Sequence, residues 1–323
     1  AGPHMYKVNG RYILIAAEGG TFGWHSEVVF SGDSPMGEFI PWKNNPILTQ
    51  RHLDSGRPNA VTCAGHADLF QTTEGDWWAV FLACRPVNNK FENLGRETFI
   101  MPVKWSDDGF PYITQADDQI PMILKHEGTK RDTTVTFGNF KENENFDSTV
   151  LGVNWMTLRT PATNLYSLTE TPGYLALKCA NISAREKKTP AFVCRRLQHH
   201  KFECSTRVLF EPSDNSEAAG LLLYKDETHQ YFLAIEMNDS GKCISLYQIG
   251  ESDLTLASQE IDKETKMIDL KVTSKGISYD FYFSTGGKWN LLAKNVDAGY
   301  LSTTVAGGFT GTTVGMYATS QKK

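Results

Sequence analysis

The chain has 323 residues, with 37 Asp and Glu against 32 Lys and Arg and a formal net charge of -5. With 40% of its residues hydrophobic and 21% charged, it has the means to build a packed core and is not a disordered chain. Lys and Arg do not cluster, which argues against a nucleic-acid partner, and no apolar run approaches the ~20 residues of a membrane span. In chain order, alternating apolar and polar residues predict strands over 12–16, 77–82, 99–103, 206–210, 220–224, 231–237, 244–248, 267–272 and 278–283. Asn9-Gly10, Asp108-Gly109, Ser240-Gly241 and Gly286-Gly287 mark turns between such segments. No long amphipathic helix is evident, so the expected class is all-β.

Composition divides the chain. Residues up to about Lys125 are rich in Trp, Gly, Pro and His, residues 126–145 are polar and charged as a linker would be, and regular strand spacing resumes from Phe146. This predicts a first domain with its linker over 1–140 and a β-sandwich over 141–323. The cysteines at 63, 84, 179, 194, 204 and 243 show neither a CxxC pair nor zinc-type spacing. They read as scattered core thiols, with one disulfide in the second half left open.

Three segments of the first domain carry chemistry. The opening runs Ala-Gly-Pro-His-Met-Tyr-Lys through to Glu18-Gly19-Gly20-Thr21. A second segment is Ala64-Gly65-His66-Ala67-Asp68-Leu69-Phe70. A lone His is more often a hydrogen-bonded core residue than a functional one, and Asp68 alone reads as a turn cap. A third segment is Asn93-Leu94-Gly95-Arg96-Glu97-Thr98, leading into Met101-Pro102-Val103-Lys104-Trp105. A fixed guanidinium can donate two hydrogen bonds to one polar partner and bias a nearby carboxylate. Neighbours on a strand face opposite ways, so an Arg96–Glu97 ion pair explains that segment poorly.

Together these segments resemble glycoside hydrolase family 43, the β-xylosidases and α-L-arabinofuranosidases. Ala-Gly-Pro-His-Met also reads as a vector scar, but the similarity runs unbroken from Gly2 to Thr21. The resemblance implies that residues 1–125 are the C-terminal blades of a five-bladed β-propeller whose earlier blades lie outside this sequence. It implies that Ala1 stands where the family carries its general-acid Glu. It further implies that Thr21, His66 and Arg96 line the sugar subsite, with Trp24 beside it. No cofactor is required, and in members with a central Ca2+ the residue matching His66 helps to hold the metal. The general base and the pKa-modulating carboxylate would lie on the earlier blades.

The second half carries Phe146-Asp147-Ser148, Leu151-Gly152-Val153-Asn154-Trp155, Arg195-Arg196-Leu197-Gln198-His199 and Gly308-Phe309-Thr310-Gly311. These resemble the concanavalin A-like sandwich of the family's xylosidases. That likeness implies a loop aromatic reaching the pocket rim, for which Phe309 is the candidate, a buried core Phe being the other reading. The family module ends with an Ala-Asp-Phe-Asp-x-Phe strand, which the sequence does not reach before Lys323; a complete sandwich would need that strand from elsewhere. The expected activity is exo-acting, inverting hydrolysis of xylo- or arabino-oligosaccharides, or sugar binding without catalysis on the same scaffold. The compartment is left open.

Overall fold

The computed structural model describes residues 2–125 and 141–321. The chain falls into two compact units, Ala1–Arg131 and Asp132–Lys323. Among the described residues no helix is long and apolar enough to cross a membrane.

The first unit contains β1 (His4–Val8), β2 (Arg11–Glu18), β3 (Ser26–Gly32), β4 (Ile40–Pro41), β5 (Leu48–Thr49), β6 (Thr62–Gln71), β7 (Trp77–Cys84), β8 (Glu97–Pro102), β9 (Lys104–Trp105) and β10 (Pro111–Tyr112). One antiparallel sheet runs β1-β2-β3-β4 with β5 also on β3, and a second runs β6-β7-β8. The β1–β2 hairpin closes through Asn9 and Gly10, both at positive φ (50° and 84°), as a two-residue turn matched to strand twist demands. Val8 then pairs with Arg11. That register turns Ile13 and Ile15 into a core shared with Val29, Ile47, Leu48, Ala67, Leu69 and Phe81.

Strand β6 departs from regular pairing. Its register against β7 shifts twice, between Thr62 and Gly65 and between Gly65 and Asp68. Cys63 (φ 55°) and His66 (φ 52°) take up the extra residues in the left-handed region, which L side chains adopt rarely and mostly where surrounding structure enforces it.

The second unit adds β11 (Met156–Thr157), β12 (Tyr166–Ser167), β13 (Ala176–Leu177), β14 (Ala191–Arg196), β15 (Lys201–Leu209), β16 (Ala218–Asp226), β17 (His229–Asn238), β18 (Gly241–Ile249), β19 (Leu254–Glu260), β20 (Met267–Lys275), β21 (Ser278–Ser284), β22 (Asn290–Asp297) and β23 (Thr313–Thr319). A seven-stranded sheet in the order β11-β14-β23-β16-β17-β18-β19 faces a four-stranded sheet in the order β15-β20-β21-β22. Leu221, Leu233, Ile235, Ile244 and Leu246 from the first sheet meet Ile268, Leu270, Val272, Phe281 and Phe283 from the second. The reverse face of the larger sheet is also apolar: Phe192, Leu222, Phe232 and Tyr317 pack there with Leu158 and Ala184. Between β22 and β23, Ser302 caps a short α1 (Thr303–Ala306) by accepting the Val305 N–H. All six cysteines of the chain are free thiols, so the disulfide left open for the second half is not formed.

Candidate active site

The β6 irregularity positions His66. A side chain added at Gly2 would place its Cβ 2.2 Å from His66 Nε2, so the ring lies directly on the Gly2 backbone and leaves room only for glycine, whose φ is +67°. The His4 ring sits 6.3 Å from that of His66. Asp68, expected as a turn cap, instead lies within β6. It accepts a hydrogen bond from the Tyr6 hydroxyl and lies 3.5 Å from His4 Nδ1. The same hydroxyl accepts the Leu69 N–H at 2.8 Å. Burial first, and then the bond to Asp68, raise the Tyr6 pKa, so Tyr6 stays a neutral donor that ties β1 to β6.

Beneath this layer lie two ionisable groups of β3 and its approach. His25 is only 3% exposed, and its Nδ1–H donates to the Cys63 carbonyl at 3.0 Å. A Cβ at Gly65 would meet the His25 ring at 2.9 Å, so Gly65 is the residue that lets the bulge settle on the imidazole. Burial lowers the His25 pKa, the Cys63 carbonyl opposes that, and the nearby Arg96 and His66 lower it further. His25 is therefore neutral near pH 7, with Arg96 and His66 both close enough to act on it.

Glu27, inside β3, is fully buried. Its Oε2 accepts the Ala67 N–H at 3.1 Å, and the His66 N–H also bonds to the carboxyl group. Its Oε1 has no hydrogen-bond partner among the described residues. Burial pushes the pKa up from about 4.5 to about 8 against those two backbone donors. Glu27 thus holds the backbone that aims His66, and holds it mostly as a neutral acid below pH 8.

Arg96 follows Gly95, whose φ is +65°, and its Nη2 donates to the Thr21 carbonyl at 2.9 Å. Glu97 turns the other way and pairs with Arg85 in a two-pronged contact of 2.8 and 2.5 Å, as strand alternation requires. The loop carrying Thr21 is exposed, and Trp24 on it is 72% exposed. The structure thus brings Gly2, Thr21, His66 and Arg96 of the first unit around His25. Ala1 lies outside the described residues.

His66 belongs to no group of three His, Cys, Asp or Glu ligand atoms among the described residues. These residues by themselves do not make up the carboxylate-rich cage that Ca2+ takes. Phe309 lies in the second unit, just after Gly307 and Gly308, both at positive φ (77° and 70°). It is 47% exposed, which rules out the buried-core reading. Lys225, buried on β16, donates to the Thr310 carbonyl and lies 3.2 Å from the Thr303 hydroxyl, so it holds both ends of that loop.

Sequence reasoning missed His25 and Glu27. A signal was available for Glu27: a carboxylate directly before Val28-Val29-Phe30 interrupts an otherwise apolar strand, and such residues are rarely buried without a purpose.

Comparison with known proteins agrees with this architecture. Residues 1–111 match Glycosyl hydrolases family 43, and residues 143–323 match the Beta xylosidase C-terminal Concanavalin A-like domain. A non-reducing end α-L-arabinofuranosidase of Bacteroides ovatus is 33% identical over 98% of the chain and 58% of its own length. A β-xylosidase of Bacillus subtilis is 30% identical over 97% of the chain and 61% of its own length. The solved structure of the GH43B protein of a Bacteroides ovatus xyloglucan PUL matches with a TM-score of 0.87 and 32% identity, over 100% of this chain and 62% of that one. The chain thus spans about three fifths of the length of these relatives.

Proposed function

The chain belongs to glycoside hydrolase family 43, as part of a five-bladed β-propeller followed by a concanavalin A-like sandwich, and we propose that the protein it forms part of releases terminal xylosyl or arabinosyl units from hemicellulose oligosaccharides. The reading is of an exo-acting, inverting enzyme. One carboxylic acid protonates the leaving oxygen and a carboxylate activates water on the opposite face, the two being ~6.5–9.5 Å apart. The observation that carries it is the convergence on His25 of His66, packed on the Gly2 backbone, and Arg96, bonded to the Thr21 carbonyl.

In this reading Arg96, His66 and Thr21 form one wall of the sugar subsite. Arg96 presents its guanidinium to sugar hydroxyls, and His66 offers a ring nitrogen. Phe309 is an exposed ring of the second unit. The base and the second carboxylate would come from earlier blades. Ala1 occupies the general-acid position, so this sequence has no proton donor there; hydrolysis would be slow while sugar binding persists.

The same Ala1 favours a second reading, a carbohydrate-binding protein without catalysis. Both are tested by Ala1→Glu in a chain that also carries the preceding blades, with p-nitrophenyl β-D-xylopyranoside and α-L-arabinofuranoside as substrates. Release of p-nitrophenol that depends on Glu at position 1 supports the enzyme. Binding of xylo-oligosaccharide without release supports the binding protein, and loss of both overturns the site.

A further inference from the structure

Cys63 and Cys84 are 21 residues apart and their spacing carries no metal signature, yet the fold brings them together. Cys63 sits in the β6 bulge, and Cys84, at the end of β7, pairs with Thr62, the neighbour of Cys63. Both are buried. Glu92, on the connection that leads to Arg96, completes the group: one ligand atom from each of the three residues lies within 4.8 Å of the others. Cys63 Sγ is 3.5 Å from Glu92 Oε1.

We propose that Cys63, Cys84 and Glu92 form a binding site for one thiophilic divalent cation, Zn2+ being the first choice, separate from the sugar subsite. The distances decide in its favour. A tetrahedral ion with Zn–S near 2.3 Å and Zn–O near 2.0 Å sets S···O edges of about 3.5 Å and S···S edges of about 3.8 Å. The Cys63–Glu92 separation already equals the first edge, and the remaining pairs need only small side-chain movement to reach theirs. Two thiolates and a carboxylate select a borderline-soft ion over Ca2+ or Mg2+.

The Cys63 thiol, then burial and Glu92, raise the Cys84 pKa, and Arg96 is near enough to lower it. Binding M2+ releases the two thiol protons to solvent and leaves a centre of net charge -1 beside that guanidinium. A solvent molecule would fill the fourth position. The ion would tie three separate pieces of backbone: the bulge whose Cys63 carbonyl holds His25, the end of β7, and the segment that delivers Arg96. Its role is to fix the wall of the candidate site from behind.

The test uses the full chain, reduced, freed of metal with a chelator and titrated with Co2+. One Co2+ per chain with thiolate-to-cobalt charge-transfer bands, displaced by Zn2+ and accompanied by proton release, is expected. So is a rise in Tm of several degrees with Zn2+ over chelator. Cys84→Ser should abolish the bands. Glu92→Gln, which keeps the side-chain size and guards against a folding failure in the first variant, should weaken binding at least tenfold. Cys204→Ser, in the other unit, should leave the spectrum unchanged. Absence of thiolate bands while all six cysteines titrate after unfolding would overturn the proposal and leave buried thiols. Four titrating thiols without reductant, restored to six by it, would overturn it in favour of a Cys63–Cys84 disulfide.

Discussion

Replacing Glu27 by Gln should abolish a fall in stability that the wild-type chain suffers between pH 5 and pH 8. The carboxyl group of Glu27 is buried and titrates at about 8 in the folded state against about 4.5 as an ordinary carboxyl. Between those values the native state keeps a proton that the unfolded chain has lost. Stability therefore falls as pH rises, by about 1.36 kcal/mol per unit. Allowing for partial ionisation at each end, the loss from pH 5 to pH 8 is on the order of 3 kcal/mol. Glutamine keeps an oxygen to accept the Ala67 and His66 N–H groups and places a neutral amide where Oε1 has no partner. It carries no proton to lose. Denaturant unfolding followed by tryptophan fluorescence reports on the correct unit, since Trp24, Trp42, Trp77, Trp78 and Trp105 lie there and only Trp155 and Trp289 do not. The stability of the variant relative to wild type should climb by roughly 3 kcal/mol across that range. A difference constant to within about 0.5 kcal/mol from pH 5 to pH 8 would show that Glu27 is ionised when folded, and the account of the β6 bulge would fail.

Tyr6→Phe removes both the donor to Asp68 and the acceptor of the Leu69 N–H; it should cost about 1–3 kcal/mol in chemical denaturation, more than a surface change. Arg96→Lys keeps the charge but loses the planar fork, so xylo-oligosaccharide binding by the whole protein should weaken by about 2 kcal/mol, roughly thirty-fold in calorimetric Kd, with Tm little altered. Lys225→Met leaves the Thr310 carbonyl without its buried donor. Amide exchange over residues 307–312 should accelerate by a factor equivalent to about 1–3 kcal/mol, while β17 stays protected.

What could be read from the sequence depended on how regular the pairing is. In β2, β15 and β20, one face is more buried than the other, so alternation alone located them. Strand β14 is buried on both faces over its first four residues, because core packs on either side of the large sheet. A short apolar run of that kind does not declare itself as strand, and it was not predicted. The motif residues were legible because glycines mark them. Gly2 and Gly65 stand where a Cβ would strike His66 and His25, so the sequence carries the imprint of both rings.

The support of the site was hidden for one physical reason. Side-chain parity along a strand predicts which residues share a face only while the register holds. Two register shifts between Thr62 and Asp68 of β6 break that parity. They turn Cys63 toward Cys84, bring its carbonyl onto His25, and present the His66 and Ala67 N–H groups to Glu27. None of these partners is near the others in sequence, and no periodic pattern links them. The bulge is therefore the feature from which the rest of the wall follows. It sets the direction of His66, requires a neutral Glu27 behind it, and gathers the two thiols beside the segment that carries Arg96. Any change that restored regular pairing between Thr62 and Asp68 would undo all three effects together, even with every motif residue left in place.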